Sequence, residues 1–326
     1  MTEFFYTYGL FLTKALTVVI TILLTFGGII AIATKNKLNS KEKIKVTDLN
    51  EKYQEMKEVI NNETLEKSEL KKIKKQEKQS EKTNKTKRDR IFVLNFDGDI
   101  KASAVANLRE EITAILTVAT PRDEVLIKIE SPGGMVHGYG LAASQLKRIR
   151  DRSIPLIAAV DKVAASGGYM MACVADRILA APFAILGSIG VIAQLPNFNR
   201  LLKKYDIDYE QVMAGQYKRT LSLFGENTKD GRKKMQEEVD EAHTLFKNFV
   251  ADNRPMVDIN TLATGETWYG TRAKEMRLVD EIITSDDYLL AASNKNNIFK
   301  IEYIIKKGLA EKIGISIQKV VSKMSF

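Results

Sequence analysis

The hydrophobic and polar positions divide the chain into an apolar N-terminus, a charged stretch and a mixed remainder. Residues 15–33 are nineteen uncharged positions rich in Val, Ile and Leu. A helix of that length nearly crosses the hydrocarbon core of a bilayer, and the apolar residues 4–12 before it would let a tilted helix complete the span. A cleaved signal peptide is the alternative, but the charged n-region is poor and no small-x-small site ends the run. We therefore expect residues 1–34 to form a retained membrane anchor.

The next segment, residues 35–90, is dominated by Lys and Glu. It holds 18 Lys and Arg against 11 Asp and Glu, which is +7 of the net charge of +9. Apolar residues recur at helical spacing in its first part, at Leu49, Tyr53, Met56 and Ile60. We expect a partly helical, solvated linker, with binding to anionic lipid headgroups as the alternative. Because the rest of the chain is nearly neutral, a basic groove for nucleic acid is not expected.

From residue 91 onwards, apolar strand patterns alternate with helical ones. Strands are predicted at 91–94, 125–129 and 156–160, and helices at 105–118 and 139–150. This alternation is typical of an α/β domain with a largely parallel sheet. We place that domain at 91–290, with a long polar helix at 229–253 packed on its edge. Residues 291–326 are interpreted as a C-terminal extension.

The small number of His and Cys residues limits the chemistry. The chain has two histidines and a single cysteine, Cys173. A lone cysteine forms no intrachain disulfide, and these residues are too few for a usual zinc site. We expect neither a metal nor a cofactor.

Two glycine-rich loops follow predicted strands, where the active sites of such folds are built. The first is 131–134 (Ser-Pro-Gly-Gly), and the second, 161–168, contains Ser166 followed by Gly167. Backbone amides of such loops could form an oxyanion hole. Taken alone, however, the first loop is equally an ordinary connection, and Ser166 is better explained as a helix N-cap. Position 164 is alanine, so the G-x-S-x-G elbow motif is absent.

A serine nucleophile needs a base. His137 follows the first loop and is a minor candidate, whereas His243 lies in the long polar helix and is interpreted as a surface or packing residue. A lysine can serve if burial lowers its pKa. Lys162 and Lys218 are the candidates, and the residues themselves do not choose between them.

Several ordered motifs resemble the signal peptide peptidase A family over nearly the whole chain. The motifs lie at 131–134, 165–169, 186–191, 215–218, 264–270 and 278–281. Arg277 departs from the pattern, because many relatives have glycine there, and this puts only a local turn in doubt. The resemblance implies a Clp/crotonase-like fold of repeated ββα units.

The resemblance also implies roles for particular residues. Ser166 would be the nucleophile and Lys218 the general base, with Ser188 orienting the lysine. Gly134 and Gly167 would offer the oxyanion amides. Lys162 is set aside on this reading.

By resemblance, the expected activity is that of a membrane-anchored serine endopeptidase. Its substrates would be peptides or signal-peptide remnants with apolar or small residues, and it would form a homo-oligomer in which the serine and lysine can meet across subunits. A non-enzymatic membrane scaffold is the main alternative, whereas acyl-CoA chemistry does not need the serine and lysine. The resemblance favours the periplasmic face of the inner membrane, while the lysines after residue 33 favour the cytoplasm.

Overall fold

A computed structural model of the chain describes residues 6–21, 43–73 and 88–304. The chain divides into two units, one of residues 1–45 with 303–326 and the other of residues 46–302. In the first unit, residues 6–21 form a helix (α1) with exposed side chains. No helix in these three described ranges is long and apolar enough to cross a membrane. Residues 22–34 of the predicted anchor lie outside the described residues.

The remaining elements follow in chain order. The strands are β1 (Lys43–Asp48), β2 (Arg90–Asp97), β3 (Glu124–Glu130), β4 (Leu156–Val160), β5 (Val163–Ala165), β6 (Arg177–Ala180), β7 (Ile185–Gly187), β8 (Thr267–Tyr269), β9 (Glu281–Ile282) and β10 (Asn297–Ile304). The helices are α2 (Leu49–Thr64), α3 (67–73), α4 (Val105–Leu116), α5 (Val136–Arg150), α6 (Gly167–Ala172), α7 (Asn199–Lys204), α8 (Lys229–Asn253), α9 (Ile259–Leu262), α10 (Gly270–Glu275) and α11 (Ser285–Ala292).

The strands form a large sheet and a small one. The large sheet has the order β1-β10-β2-β3-β4-β6-β9, and every adjacent pair from β10 to β9 is parallel. In the small sheet β5 pairs with β7 in parallel, and β7 pairs with β8 in antiparallel. The predicted mixed α/β fold with a largely parallel sheet is therefore confirmed.

The two sheets are linked by a repeated strand–strand–helix arrangement. After β4, the chain enters the small sheet as β5 and then forms α6. After β3, Ser131 makes a parallel bridge to Ala164 of β5 before the chain forms α5. Both loops thus leave the same edge of the large sheet, because β3 and β4 are parallel. This arrangement brings residues 131–134 beside the segment that contains Ser166.

The large sheet is buried on both faces, as expected for parallel strands covered by helices. One face carries a cluster of buried side chains from five strands together with Leu49 of α2 and Leu289 of α11. Asn50 extends this contact: its amide nitrogen donates to the carbonyls of Ser293 and Asn296, and its Oδ1 accepts the Ile298 N–H.

The edges of the folded domain differ from the predicted boundaries at 90 and 290. Helix α2 packs on the sheet although it lies in the predicted linker, and β10 pairs with β2 although it lies in the predicted extension. Only Leu49 of α2 is buried, so the sequence of this charged helix gives little sign of the side that packs on the sheet. Residues 74–87 and 305–326 lie outside the described part of the chain.

Candidate active site

Ser166 occupies a strained turn between β5 and α6. Its φ is 51° and its ψ is −116°, values that a residue with a side chain rarely adopts. The turn is held by the Ser166 N–H, which donates to the Gly187 carbonyl at 2.8 Å, and by the Ala165 N–H, which donates to the Ser131 carbonyl at 3.0 Å. Although Ser166 stands at the N-cap position, its hydroxyl makes no capping bond to α6. The half-buried hydroxyl is therefore left for other chemistry.

The first glycine loop lies directly against this turn. A Cβ added to Gly133, whose φ is +93°, would be 2.7 Å from the Ser166 Cβ and 2.9 Å from the Gly167 nitrogen. A Cβ on Gly134 would overlap the Ile100 carbonyl, and one on Gly167 would overlap the Tyr139 ring. Glycine at position 133 thus allows the two loops to approach each other, and glycine at positions 134 and 167 allows close packing against Ile100 and Tyr139.

Two backbone amides near Ser166 make no hydrogen bond in the described part of the chain. In the chain as described, neither Gly134 nor Gly167 donates its N–H to another group, whereas the Gly133 N–H donates to the Ser131 Oγ at 3.1 Å. Gly134, Gly167 and Ser166 line one cavity. Unpaired amides beside a nucleophile are what an oxyanion hole requires.

Tyr139 contacts the glycine-rich loop 131–134 through Ser131. Its role was not predicted from the sequence. Its hydroxyl donates to the Asp99 carbonyl at 2.8 Å and lies 2.5 Å from the Ser131 Oγ. The Ser131 hydroxyl must therefore donate to the tyrosine oxygen while it accepts the Gly133 N–H. The only signal in the sequence was a tyrosine on the buried face of α5 just after the loop.

Ser188 lies in the turn next to that of Ser166. It follows β7, has a φ of 51°, and donates its N–H to the Glu266 carbonyl at 2.6 Å. The preceding residue, Gly187, accepts the Ser166 N–H. The two serines are thus connected through one backbone hydrogen bond, and Ser188 is half-buried.

Lys218 is exposed and lies in an irregular segment between α7 and α8. Its N–H donates to the Gly215 carbonyl at 3.1 Å. Among the described residues, its amine makes no hydrogen bond or ion pair. The structure therefore brings Ser166, Gly134 and Gly167 together with Ser188 nearby, but it does not join Lys218 to Ser166.

The segment after Lys218 is fixed by hydrogen bonds to buried Ser222. The Ser222 Oγ accepts the N–H groups of Phe224 and Gly225. Asn227 accepts the Ser222 N–H at 2.8 Å and donates to its carbonyl at 3.2 Å, and Asn197 donates to the same carbonyl at 2.9 Å. The stretch 222–227, which begins four residues after Lys218, therefore has a defined local conformation.

The other candidate bases are not connected to Ser166 by hydrogen bonds in the described part of the chain. Lys162 pairs with Glu130 at 2.9 Å. That hydrogen bond raises the pKa of Lys162, which is the opposite of what a base needs. His137 is exposed in the first turn of α5. His243 is half-buried on α8, and its Nε2 has no partner among the described residues.

A strained serine beside unpaired glycine amides is the arrangement of a serine hydrolase, and similarity to known proteins defines it further. Residues 3–146 match Peptidase family S49 N-terminal, and residues 148–298 match Peptidase family S49. The chain therefore belongs to peptidase family S49 and is a serine peptidase, which confirms the predicted family.

Individual relatives show the same relationship. The chain is 48% identical over 322 residues to "Probable protease SohB" of Haemophilus influenzae, covering 94% of this chain and 91% of that protein. It is 50% identical over 316 residues to "Probable protease SohB" of Buchnera aphidicola subsp. Acyrthosiphon pisum, covering 95% and 93%. "Putative signal peptide peptidase SppA" of Enterococcus faecium is 35% identical over 168 residues, covering 51% and 48%.

Proposed function

We propose that this chain is a membrane-anchored endopeptidase in which Ser166 is the nucleophile and Lys218 the general base. The observation that carries the proposal is the strained turn at Ser166, because its hydroxyl is not used as a helix cap and it shares a cavity with two unpaired amides. The position of Lys218 in the family motif supports its role. Peptides or signal-peptide remnants with apolar or small residues are the substrates.

The reaction proceeds through an acyl-enzyme. The neutral amine of Lys218 takes the proton of the Ser166 hydroxyl while Oγ bonds to the substrate carbonyl carbon, and the amides of Gly134 and Gly167 donate to the oxyanion. The C–N bond then breaks, and the lysine passes its proton to the leaving amine. In deacylation the lysine takes a proton from water, the hydroxide adds to the ester, and Ser166 leaves with the proton from the lysine. The Ser188 hydroxyl orients the amine.

The active form is a homo-oligomer. A run of large apolar side chains is exposed in the segment that leads to Lys218: Ile192, Leu195, Phe198, Leu201, Tyr205, Ile207 and Val212. Exposed apolar surface of this extent marks interaction sites. A neighbouring copy that covers the segment would also hold Lys218 near a serine, which the single chain does not do.

Peptide hydrolysis by single variants tests the dyad. Ser166→Ala and Lys218→Ala should each reduce kcat by about 10⁴-fold or more, and Ser188→Ala should reduce it less. Lys162→Ala is the matched control and should retain activity, since that lysine is held by Glu130. Undiminished hydrolysis by either of the first two variants would contradict the assignment.

Mixing inactive variants tests whether the dyad forms between subunits. Ser166→Ala and Lys218→Ala proteins are unfolded together, refolded as mixed oligomers and compared with each variant alone. Recovered activity is expected if one subunit supplies the serine and another the lysine. Continued inactivity in oligomers shown to be mixed would place both residues in one subunit.

Residues 15–33 support attachment to the inner membrane, with the catalytic domain on the periplasmic side. The full chain should stay with membranes during alkaline carbonate extraction, and a variant that lacks residues 1–34 should be released. A reporter fused after residue 326 and active only in the periplasm tests the side; a silent reporter on a stable fusion would favour the cytoplasm.

A further inference from the structure

A very small, mostly apolar cavity lies beside Ser166. Its volume is about 20 Å³. A cavity needs roughly 10–15 Å³ to hold one water molecule, so this one has room for about a water or a methyl group. Apart from Ser166 and glycine backbone, the side chains that shape it are apolar: Val136, Met170, Val191, Ala242 and Phe246.

One wall of the cavity comes from α8. Ala242 and Phe246 are four residues apart and therefore share a face of this helix. Phe246 is only 4% exposed, and Met170 of α6 is 8% exposed, so neither side chain can leave the cavity without repacking. Val136, by contrast, is 47% exposed and stands at the open side. The size of the cavity is thus set mainly by Phe246, Ala242 and Met170.

The C-terminal end of α8 is held by contacts to the rest of the domain, which keeps this wall in place. Just after the C-terminus, the buried guanidinium of Arg254 makes two hydrogen bonds to Asp280, at 2.8 and 2.9 Å. A rigid retreat of the helix to enlarge the cavity would break these contacts.

The cavity borders the position that the acyl-side residue of a bound substrate would occupy. This step rests on the proposed function: Ser166 bonds to the carbonyl carbon, and the amides of Gly134 and Gly167 bind the carbonyl oxygen. The residue that supplies this carbonyl has its Cα one bond from the attacked carbon. Its side chain must therefore lie close to Ser166 and both glycines, which all border the cavity.

We infer that Phe246 and Ala242 restrict the residue on the acyl side of the cleaved bond to glycine or alanine. A methyl group fills the space, whereas a leucine or phenylalanine side chain would have to displace Phe246 or extend past Val136 into the solvent. Serine is also disfavoured, because the apolar lining offers its hydroxyl no partner. The inference narrows the substrates from apolar or small residues to the smallest apolar ones.

Peptides that differ only at this residue test the inference, with Gly, Ala, Ser, Val, Leu and Phe compared by kcat/KM. Wild type should cleave after Ala at least about 10-fold faster than after Leu, in line with the discrimination that one methylene provides. Phe246→Leu and Phe246→Ala should raise cleavage after Leu by about 10-fold or more. Ala242→Val should slow cleavage after Ala, because the added methyls fill the space.

Leu245→Ala is the matched control. Leu245 lies on the same helix, next to Phe246, but it is 64% exposed and does not line the cavity. The variant should keep the wild-type order of substrates. If Phe246→Ala does not fold, Phe246→Leu and Ala242→Val still give opposite expected changes.

The outcomes separate this inference from the proposed function. Cleavage after Leu as fast as after Ala, with activity lost in Ser166→Ala, would overturn the size limit and leave the peptidase assignment intact. Activity that persists in Ser166→Ala would contradict the assignment itself. Labelling of Ser166 by peptide phosphonates with Ala or Leu gives the same size comparison without turnover, and equal labelling rates would also overturn the inference.

Discussion

The first turn of α8 lies directly against the carbonyl oxygen of Thr220, and the absence of a side chain at Gly231 is what permits this approach. Thr220 comes two residues after Lys218. This contact places the residues just after Lys218, the proposed base, directly against the N-terminal turn of α8. The same helix also forms a wall of the cavity beside Ser166.

Gly231→Ala should therefore lower activity by displacing the lysine segment. The added methyl group would overlap the Thr220 carbonyl, so we expect kcat to fall by about 10-fold or more, since small misplacements of reacting groups have large effects. KM should change little, because the variant leaves the cavity untouched. The measurement is peptide hydrolysis over a range of substrate concentrations.

Gly140→Ala provides the control for Gly231→Ala. Gly140 is also in a helix, but nothing lies within 4 Å of a Cβ added there. In a helix interior, alanine is favoured over glycine by about 1 kcal/mol, so this variant should be fully active and no less stable. Equal activity of the two variants would show that the contact with Thr220 does not position the lysine.

The hydrogen bonds of Tyr139 lead to a second prediction. Tyr139→Phe removes the group that donates to the Asp99 carbonyl and accepts from the Ser131 hydroxyl. The Ser131 side chain is fully buried, and a buried polar group left unpaired costs about 1–3 kcal/mol, so the free energy of unfolding should fall by an amount in that range. Activity should fall as well, because Ser131 then holds the Gly133 N–H less firmly.

Urea denaturation and peptide hydrolysis measure the two effects of Tyr139→Phe. Tyr269→Phe is the control, because that side chain is 57% exposed and should tolerate the change. Ser131→Ala combined with Tyr139→Phe should cost less than the sum of the single variants, since the two hydroxyls act on each other. Strict additivity would contradict the network.

The strands and helices around Ser166 could be predicted because each has a local hydrophobic pattern, as in the buried run of β4. Pairings between strands that are far apart in the sequence could not be predicted. Strand β10 pairs with β2, although about 200 residues separate them in sequence, and a local pattern carries no information about such a pairing. Helix α2 was interpreted as part of a linker because Lys and Glu dominate its sequence, and in the structure Leu49 is its only buried residue.

The candidate site was predictable only in part, for a similar reason. The loops with Ser166 and Gly134 follow regular strands, so their position at one edge of the sheet follows from the strand pattern. Lys218 lies in an irregular segment without periodicity, and the residues that follow it are held by side-chain contacts such as those of Ser222, which no local pattern predicts. Tyr139 is missed because its role depends on its hydroxyl, while its spacing is that of an ordinary core residue.

Asp123 gives a prediction about acid stability. Burial alone would raise the pKa of this carboxyl, but the hydrogen bonds from Arg90 and Thr120 outweigh burial and hold the pKa well below its usual range. The pKa of Asp123 is thus lower in the folded state than in the unfolded state, where it is about 3.9. The resulting contribution to stability is fully present above the unfolded-state pKa and is lost as the pH falls towards the folded-state pKa.

Asp123→Asn should therefore be less stable than wild type at pH 6, and the difference should shrink below about pH 4. Urea denaturation at a series of pH values gives the free energy of unfolding of both proteins. A difference that stays constant from pH 6 to pH 3 would mean that the charge of Asp123 contributes nothing to folding.

The last prediction concerns the ion pair between Arg254, just after the C-terminus of α8, and Asp280. The Arg254 side chain is 2% exposed and pairs with Asp280, which also accepts the Ile178 N–H at 2.7 Å. Asp280→Ala leaves a buried guanidinium without its partner, which typically costs 3–5 kcal/mol, so we expect a loss of about that size. Glu281→Ala is the control, because it removes only a more exposed pair with Arg177, for which about 0–1 kcal/mol is typical.

Urea denaturation distinguishes the two variants, and the substrate preference gives a second readout. If the Arg254–Asp280 pair holds α8 in place, Asp280→Ala should also relax the discrimination between Ala and Leu on the acyl side, because the wall formed by Phe246 becomes mobile. Glu281→Ala should leave that preference unchanged. Equal losses of stability in the two variants, with the preference intact in both, would show that α8 is fixed by its other contacts.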